Sequence, residues 1–160
     1  MGDPQLTVED LYVRFPTSRG TVEAVNGITF RLDKGQMLGI VGESGCGKTV
    51  MMKAVMDLLP PTAEVNGSIT FDGEDVFSMD KARRKHFYGV DIAMVFQNPM
   101  TSLNPVKRIG DQLMEGMLFH RGLSKAAARA RSIELLEQMQ IPKPRERIRQ
   151  YPHELSGGMR

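Results

Sequence analysis

Met37-Leu38-Gly39-Ile40-Val41-Gly42-Glu43-Ser44-Gly45-Cys46-Gly47-Lys48-Thr49 is the stretch that decides the fold. Its first five residues form a short, continuous apolar run of the kind used by a sheet buried on both faces, so a core strand is expected there. The remaining eight fit G-x-x-x-x-G-K-[ST], the P-loop pattern. A helix is expected from about Lys48 to Leu59, with Val50, Ala54 and Leu58 on one stripe, Met51, Val55 and Leu59 beside it, and Pro60-Pro61 as its stop. Strand, glycine loop and helix in that order are the context the pattern needs. Glycines let the backbone curl until successive N–H groups converge on phosphate oxygens, and the helix N-terminus adds partial positive charge. Gly42, Glu43, Ser44, Gly45, Cys46, Gly47, Lys48 and Thr49 are therefore expected to cradle ATP or GTP. Lys48 would reach the β- and γ-phosphates, and the Thr49 hydroxyl would ligate Mg²⁺. Cys46 lies at a free position of the pattern with no His or second Cys near it in sequence, so it reads as a bystander rather than a nucleophile.

Upstream, Leu6 and Val8, then Leu11, Val13 and Phe15, then Ile28, Phe30 and Leu32 alternate as half-buried antiparallel strands, broken by Pro16 and Gly20. Downstream, Gly67 to Phe71 reads as a strand followed by an Asp72-Gly73 turn, and Ile92 to Phe96 as a second core strand, with a basic helix between them. Ile109, Leu113 and Met117 have helical spacing within about Pro105 to His120. Ser124 can cap another helix, which buries Ala130, Ile133 and Leu136, with Gly122 between the two. Pro144 suits the first turn of a short helix running to about Gln150.

Composition sets outer bounds. With 41% hydrophobic and 25% charged residues, the 160-residue chain has the make-up of a folded domain, not of a collagen-like or disordered one. A formal charge of +2 gives no footprint for nucleic acid. The basic runs Lys81 to Lys85 and Arg145 to Arg149 lack interleaved aromatics and read as solvated helix faces, so no nucleic-acid partner is expected. His86, His120 and His153 have no ligand spacing, and Met51, Met52 and Met56 read as core packing. The start of the chain lacks a signal-peptide pattern, and no apolar run is long enough to span a bilayer.

A P-loop alone leaves the purpose of the nucleotide open. Leu155-Ser156-Gly157-Gly158-Met159 resembles the LSGGQ signature of ABC ATPases, at a spacing from Lys48 like that family's. Gln97 matches the family's Q-loop, and Phe15 its aromatic A-loop residue, which stacks on adenine. Phe96-Gln97-Asn98-Pro99-Met100-Thr101-Ser102-Leu103-Asn104-Pro105 is very like the Q-loop region of ATP-binding proteins from oligopeptide, dipeptide and nickel importers. The fold that this resemblance implies is α/β, a P-loop NTPase of the ABC ATPase type. Residues 1–35 and 62–90 would form an antiparallel β region, 36–61 and 91–97 a RecA-like core, and 98–160 the Q-loop and helical subdomain.

The resemblance also implies ATP and Mg²⁺ as cofactors. Gln97 would sense Mg²⁺ and the γ-phosphate as the Q-loop residue of the catalytic site. Ser156, Gly157 and Gly158 would meet the γ-phosphate held by a second ATPase subunit, in a head-to-tail homo- or heterodimer. Membrane permease subunits would dock on the region after Gln97, and an extracytoplasmic solute-binding protein would act through them. The working place would be the cytoplasmic face of the membrane. The family's Walker B Asp, catalytic Glu, D-loop and switch His are expected beyond Arg160, so these 160 residues are expected to be an N-terminal part that is marginal in stability and does not hydrolyse ATP alone. Two other classes remain open: a non-catalytic module that binds nucleotide or pairs with an intact ATPase, and a soluble ABC protein of DNA repair or translation. Against the latter stands the absence of a zinc insertion, a coiled-coil arm or a strong basic face in the sequence.

Overall fold

The alternation of Leu6, Val8, Leu11 and Val13 becomes one long strand, β1 (Pro4–Thr17), in the computed structural model, which describes residues 4–98 and 102–160. The step from Val8 to Leu11 is odd, which in a regular strand would turn the second pair to the opposite face. A bulge corrects it. Asp10 takes φ 47 and its N–H donates to Thr29 Oγ1 at 2.9 Å, and the register with both neighbouring strands shifts across this point. Leu6, Val8, Leu11 and Val13 are consequently all buried. Opposite the bulge stands Gly67, at φ 102, where a Cβ would lie 2.6 Å from the Glu9 carbonyl oxygen.

Strand β2 (Gly20–Asp33) pairs antiparallel with β1, and β3 (Glu64–Phe71) pairs with the other edge of β1. A short β4 (Glu74–Asp75) completes the order β2-β1-β3-β4. Pro16 does not break β1. Pairing with β3 ends at Arg14, so beyond that point β1 is an edge strand, where a residue lacking an N–H is tolerated. Asp72 and Gly73, at φ 48 and 80, form the expected two-residue hairpin between β3 and β4.

Helix α1 (Lys48–Val55) buries Met51, Ala54 and Val55 and packs on β1 and β2, whereas Leu58 is exposed. It stops well short of Pro60-Pro61. Asp57 turns left-handed at φ 50, its N–H donates to the Ala54 carbonyl at 2.9 Å, and that of Leu58 to the Lys53 carbonyl at 2.8 Å. That bond pair is a Schellman ending, and it terminates the helix before the prolines matter. The Asp57 carboxylate is also ion-paired with Arg84, and Arg83 pairs with Glu74 at 2.6 Å. The basic run of α2 (Lys81–His86) thus ties the helix to its own unit rather than serving only as a solvated face.

The expected core strands Met37–Val41 and Ile92–Phe96 are not strands in the structure. Neither finds a ladder partner among the described residues, and Met37, Val41 and Val95 are 98%, 94% and 95% exposed. An apolar run becomes a strand only when another strand satisfies its backbone groups.

The chain divides into two compact units, residues 1–84 and 85–160. The second is helical. A π-helical turn (Phe87–Asp91) precedes α3 (Ile109–Arg121), α4 (Lys125–Gln138) and a short α5 (Pro144–Arg147). Gly122 at φ 59 closes α3, as expected from its place between two periodic segments. Ser124 caps α4 by accepting from the Ala127 N–H at 3.2 Å. We expect Ser124→Ala to lower the stability of this unit by about 1 kcal/mol. The check is a urea unfolding curve followed by helical circular dichroism, where an unmoved midpoint would show that water replaces the cap.

The buried face of α4 differs from the expected one. Ala128 and Ser132 are fully buried, Ala130 is exposed, and Ile133 and Leu136 are half-buried. The two buried side chains are both small, and the Ser132 hydroxyl is satisfied by donating to the Ala128 carbonyl at 2.8 Å. No helix among the described residues is long and apolar enough to cross a membrane.

Candidate functional site

Residues 42–47 form an open loop that leads straight into Lys48 and Thr49 at the start of α1, as the glycine spacing requires. Gly45 and Gly47 hold φ 84 and 92, in the left-handed region where a side chain is strained. At Gly47 a second constraint operates, because a Cβ would run into the backbone carbonyl of Ala24 on β2. The loop lies against β2 at this point only because residue 47 has no side chain. Lys48 folds back over the loop, its ammonium donating to the carbonyls of Gly42 at 2.7 Å and Glu43 at 2.6 Å. Cys46 is exposed, with its Sγ 3.4 Å from the same nitrogen. Thr49 is exposed in the first turn of α1. A cation, a helix N-terminus and a glycine backbone thus meet at one exposed concavity, which is a donor set for an anion and fits a polyphosphate.

A cavity of about 330 Å³ adjoins the loop, walled by Val25, Ile28, Ile40, Val41, Met51 and Lys48 among others. Sequence reading did not foresee the part played by β2 here, and only the small residue Ala24 opposite Gly47 hints at it. Phe15 lies on β1 in the same unit, half-buried and paired with Val22, and does not line this cavity. Among the described residues no group of three or more His, Cys, Asp or Glu could hold a metal ion.

Two further segments belong to the second unit. Gln97 is exposed at the end of the unpaired Ile92–Phe96 run. Pro99, Met100 and Thr101, part of the stretch that carried the resemblance, lie outside the described residues. Leu155 is buried and anchors the turn that follows, while Ser156, Gly157 and Gly158 are exposed. The N–H groups of Met159 and Arg160 donate to the Ser156 carbonyl at 3.1 and 3.2 Å, so the chain begins a helical turn there. The Arg160 guanidinium closes back on the Leu155 carbonyl at 2.9 Å. Such a turn presents its unbonded amides outward, the arrangement that suits a phosphate oxygen.

Sequence reading missed the surroundings of this turn. Arg108 lies over the Tyr151 ring, 5.7 Å from its centroid, and the Tyr151 and His153 rings stack at 5.7 Å with 9° between their planes. The Tyr151 side chain beside it raises the Arg108 pKa above its ordinary value. The signal available in sequence was an Arg ahead of one helix and a Tyr-Pro-His ahead of the turn, with nothing to show that they meet.

A family model described as ABC transporter matches residues 25–160. The chain is 48% identical over 157 residues to the dipeptide transport ATP-binding protein DppD of Bacillus subtilis (strain 168), with 97% of this chain and 47% of that protein covered. It is 45% identical over 158 residues to the oligopeptide transport ATP-binding protein OppD of Escherichia coli (strain K12), with 99% and 47% covered. The chain thus spans about half the length of the curated relatives it matches. Its fold is like that of the ATP-binding cassette MJ0796, solved as a dimer in a post-hydrolysis state bound to ADP and Pi, with a TM-score of 0.81 at 22% identity over 96% of this chain and 64% of that one. The α/β fold is therefore that of the P-loop ABC ATPases, and by the family match over residues 25–160 the chain belongs to the ABC transporter family.

Proposed function

We propose that this chain is the nucleotide-holding part of an ATP-binding subunit that energises uptake of peptides, or of a related small solute such as nickel, through a membrane importer. The observation that carries the reading is the 45–48% identity to dipeptide and oligopeptide transport ATP-binding proteins over nearly the whole chain. Residues 42–49 hold the triphosphate, with Lys48 moving its ammonium from loop carbonyls to phosphate oxygens and the Thr49 hydroxyl serving Mg²⁺. Phe15 offers a ring to the base, and Gln97 serves Mg²⁺ and the γ-phosphate from the Q-loop. Ser156, Gly157 and Gly158 offer a hydroxyl and two amides to the γ-phosphate of a nucleotide held by a second ATPase subunit, paired head to tail. Permease subunits dock on the region after Gln97, and a solute-binding protein delivers cargo to them, so the subunit works at the cytoplasmic face of the membrane.

Bound ATP supplies the phosphoanhydride bond whose cleavage drives transport. The part read for residues 42–49, Phe15 and Gln97 is to bind and orient it. Deleting the coding region in the source organism is expected to abolish uptake of labelled dipeptide, oligopeptide or nickel. Unaltered uptake of all three would remove the importer reading.

A further inference from the structure

The signature turn is anchored at its start by the buried Leu155, while Ser156, Gly157 and Gly158 stand exposed beyond it. A Cβ on Gly157 or Gly158 would meet nothing within 4 Å, so these two residues face open space. Further ties stand just ahead of it. The Tyr151 N–H donates to the Glu154 carboxylate at 2.7 Å, closing the short 3₁₀ turn Pro152–Glu154, and the Tyr151 ring contacts both Arg108 and His153.

The same segment is joined to the start of α3 through the backbone. The Ile109 N–H donates to the Gln150 carbonyl at 2.8 Å and the Gly110 N–H to the Ile148 carbonyl at 2.9 Å. These two donors belong to the first turn of a helix, which has no internal partners for them. The crossing is close because residue 110 is glycine: a Cβ there would lie 2.5 Å from Ile148 Cγ1 and 2.6 Å from its carbonyl oxygen. Gln112 extends the connection towards the loop after Gln97. It accepts from the Asn104 N–H and donates to the carbonyls of Asn104 and Lys107, each at 2.9 Å.

We propose that Tyr151, held by Arg108 and His153, is a positioning residue that locks the lead-in of the signature turn to the first turn of α3 and so sets where Ser156 and its following amides stand when they meet a phosphate. The inference rests on the proposed reading of that turn as a phosphate contact. Two backbone hydrogen bonds and the close approach of Gly110 to Ile148 set how near the segments lie. The ring contacts of Tyr151, the residue after Gln150, add a side-chain tie to this backbone crossing. An aromatic ring has few torsions to lose and gives such a contact at low entropic cost.

The test compares the wild-type chain with Tyr151→Ala, Tyr151→Phe and Arg108→Ala. Without nucleotide, Tyr151→Ala should speed hydrogen exchange at the Met159 and Arg160 amides by about tenfold while the middle of α3 keeps its protection, and Tyr151→Phe should stay within about twofold of wild type. With ATP, affinity at the P-loop should stay within about twofold in every variant, whereas ATP-dependent association of two chains should weaken about tenfold in Tyr151→Ala and hardly at all in Tyr151→Phe. A purely structural role would not separate the two readouts.

Wild-type exchange at Met159 and Arg160 in Tyr151→Ala would overturn the proposal. If Tyr151→Ala loses protection throughout α3 and α4, Arg108→Ala, an exposed substitution, decides on the same amides: faster exchange supports the proposal and wild-type exchange overturns it. If wild-type chains do not associate with ATP, the phosphate reading of the turn fails, and the exchange data still decide whether Tyr151 positions it.

Discussion

Lys48→Ala lowers ATP affinity by at least about 100-fold, equivalent to about 2.7 kcal/mol, in a calorimetric titration with ATP and Mg²⁺. The ammonium is already at the mouth of the loop, bonded to the Gly42 and Glu43 carbonyls. Moving it onto phosphate exchanges neutral acceptors for charged ones, and charge-assisted hydrogen bonds are about twice as strong as neutral ones. Alanine removes that gain entirely. The fold itself should barely respond, because the two carbonyls belong to exposed residues and water can replace the lysine there. A thermal midpoint within a few degrees of wild type, together with lost affinity, is the expected pair of results. Unchanged affinity would show that this loop is not the nucleotide site.

Gly47→Ala acts on the same site by another route and leaves the lysine in place. Holding alanine at φ 92 costs about 1–3 kcal/mol in backbone strain. The new Cβ also runs into the Ala24 carbonyl, a backbone atom of a paired strand, so either the loop or β2 must move. We expect a drop in thermal midpoint of about 4–8 °C for each kcal/mol lost from a unit of this size. ATP affinity should fall by about tenfold or more, because the loop amides no longer converge. Lys48→Ala therefore separates charge from shape: the first substitution costs binding alone, the second binding and stability together. Wild-type melting of Gly47→Ala would mean that the loop does not lie against β2 in solution.

How much the sequence disclosed depended on how local the cause was. The left-handed glycines of the P-loop, the Ser124 cap, the Asp72-Gly73 hairpin and the Gly122 stop are each decided within a few residues, and each was legible. The ending of α1 was also local, but it was hidden behind a louder signal: Asp57 carries no glycine, and the two prolines after it drew the boundary too late. Met37–Val41 and Ile92–Phe96 failed for the opposite reason. Their apolar runs state a demand for neighbours, and whether neighbours exist is not a property of the run. In α4 alanines occupy several faces at once, so periodicity could not choose the stripe, and Ala128 with Ser132 took the buried place. The contact of Arg108 with Tyr151 joins segments more than forty residues apart and carries no pattern at all.

The order β2-β1-β3-β4 has a consequence for the making of the chain. Strand β1 lies in the middle of its sheet, yet its two neighbours emerge from the ribosome at very different times. The β1–β2 hairpin can close as soon as Asp33 has appeared. The other edge of β1 then waits, with its backbone groups unmatched, until residues 64–71 arrive. At about 5–20 residues per second that interval lasts a few seconds, long compared with the microseconds in which a hairpin forms. Nascent chains on one messenger could pair through such an edge. Glu9 and Arg14 stand along it, and the Asp10 bulge kinks it, so the waiting strand is charged and bent rather than flat and apolar. The irregularity that sets the register of the finished sheet also keeps the unfinished one from recruiting a neighbour.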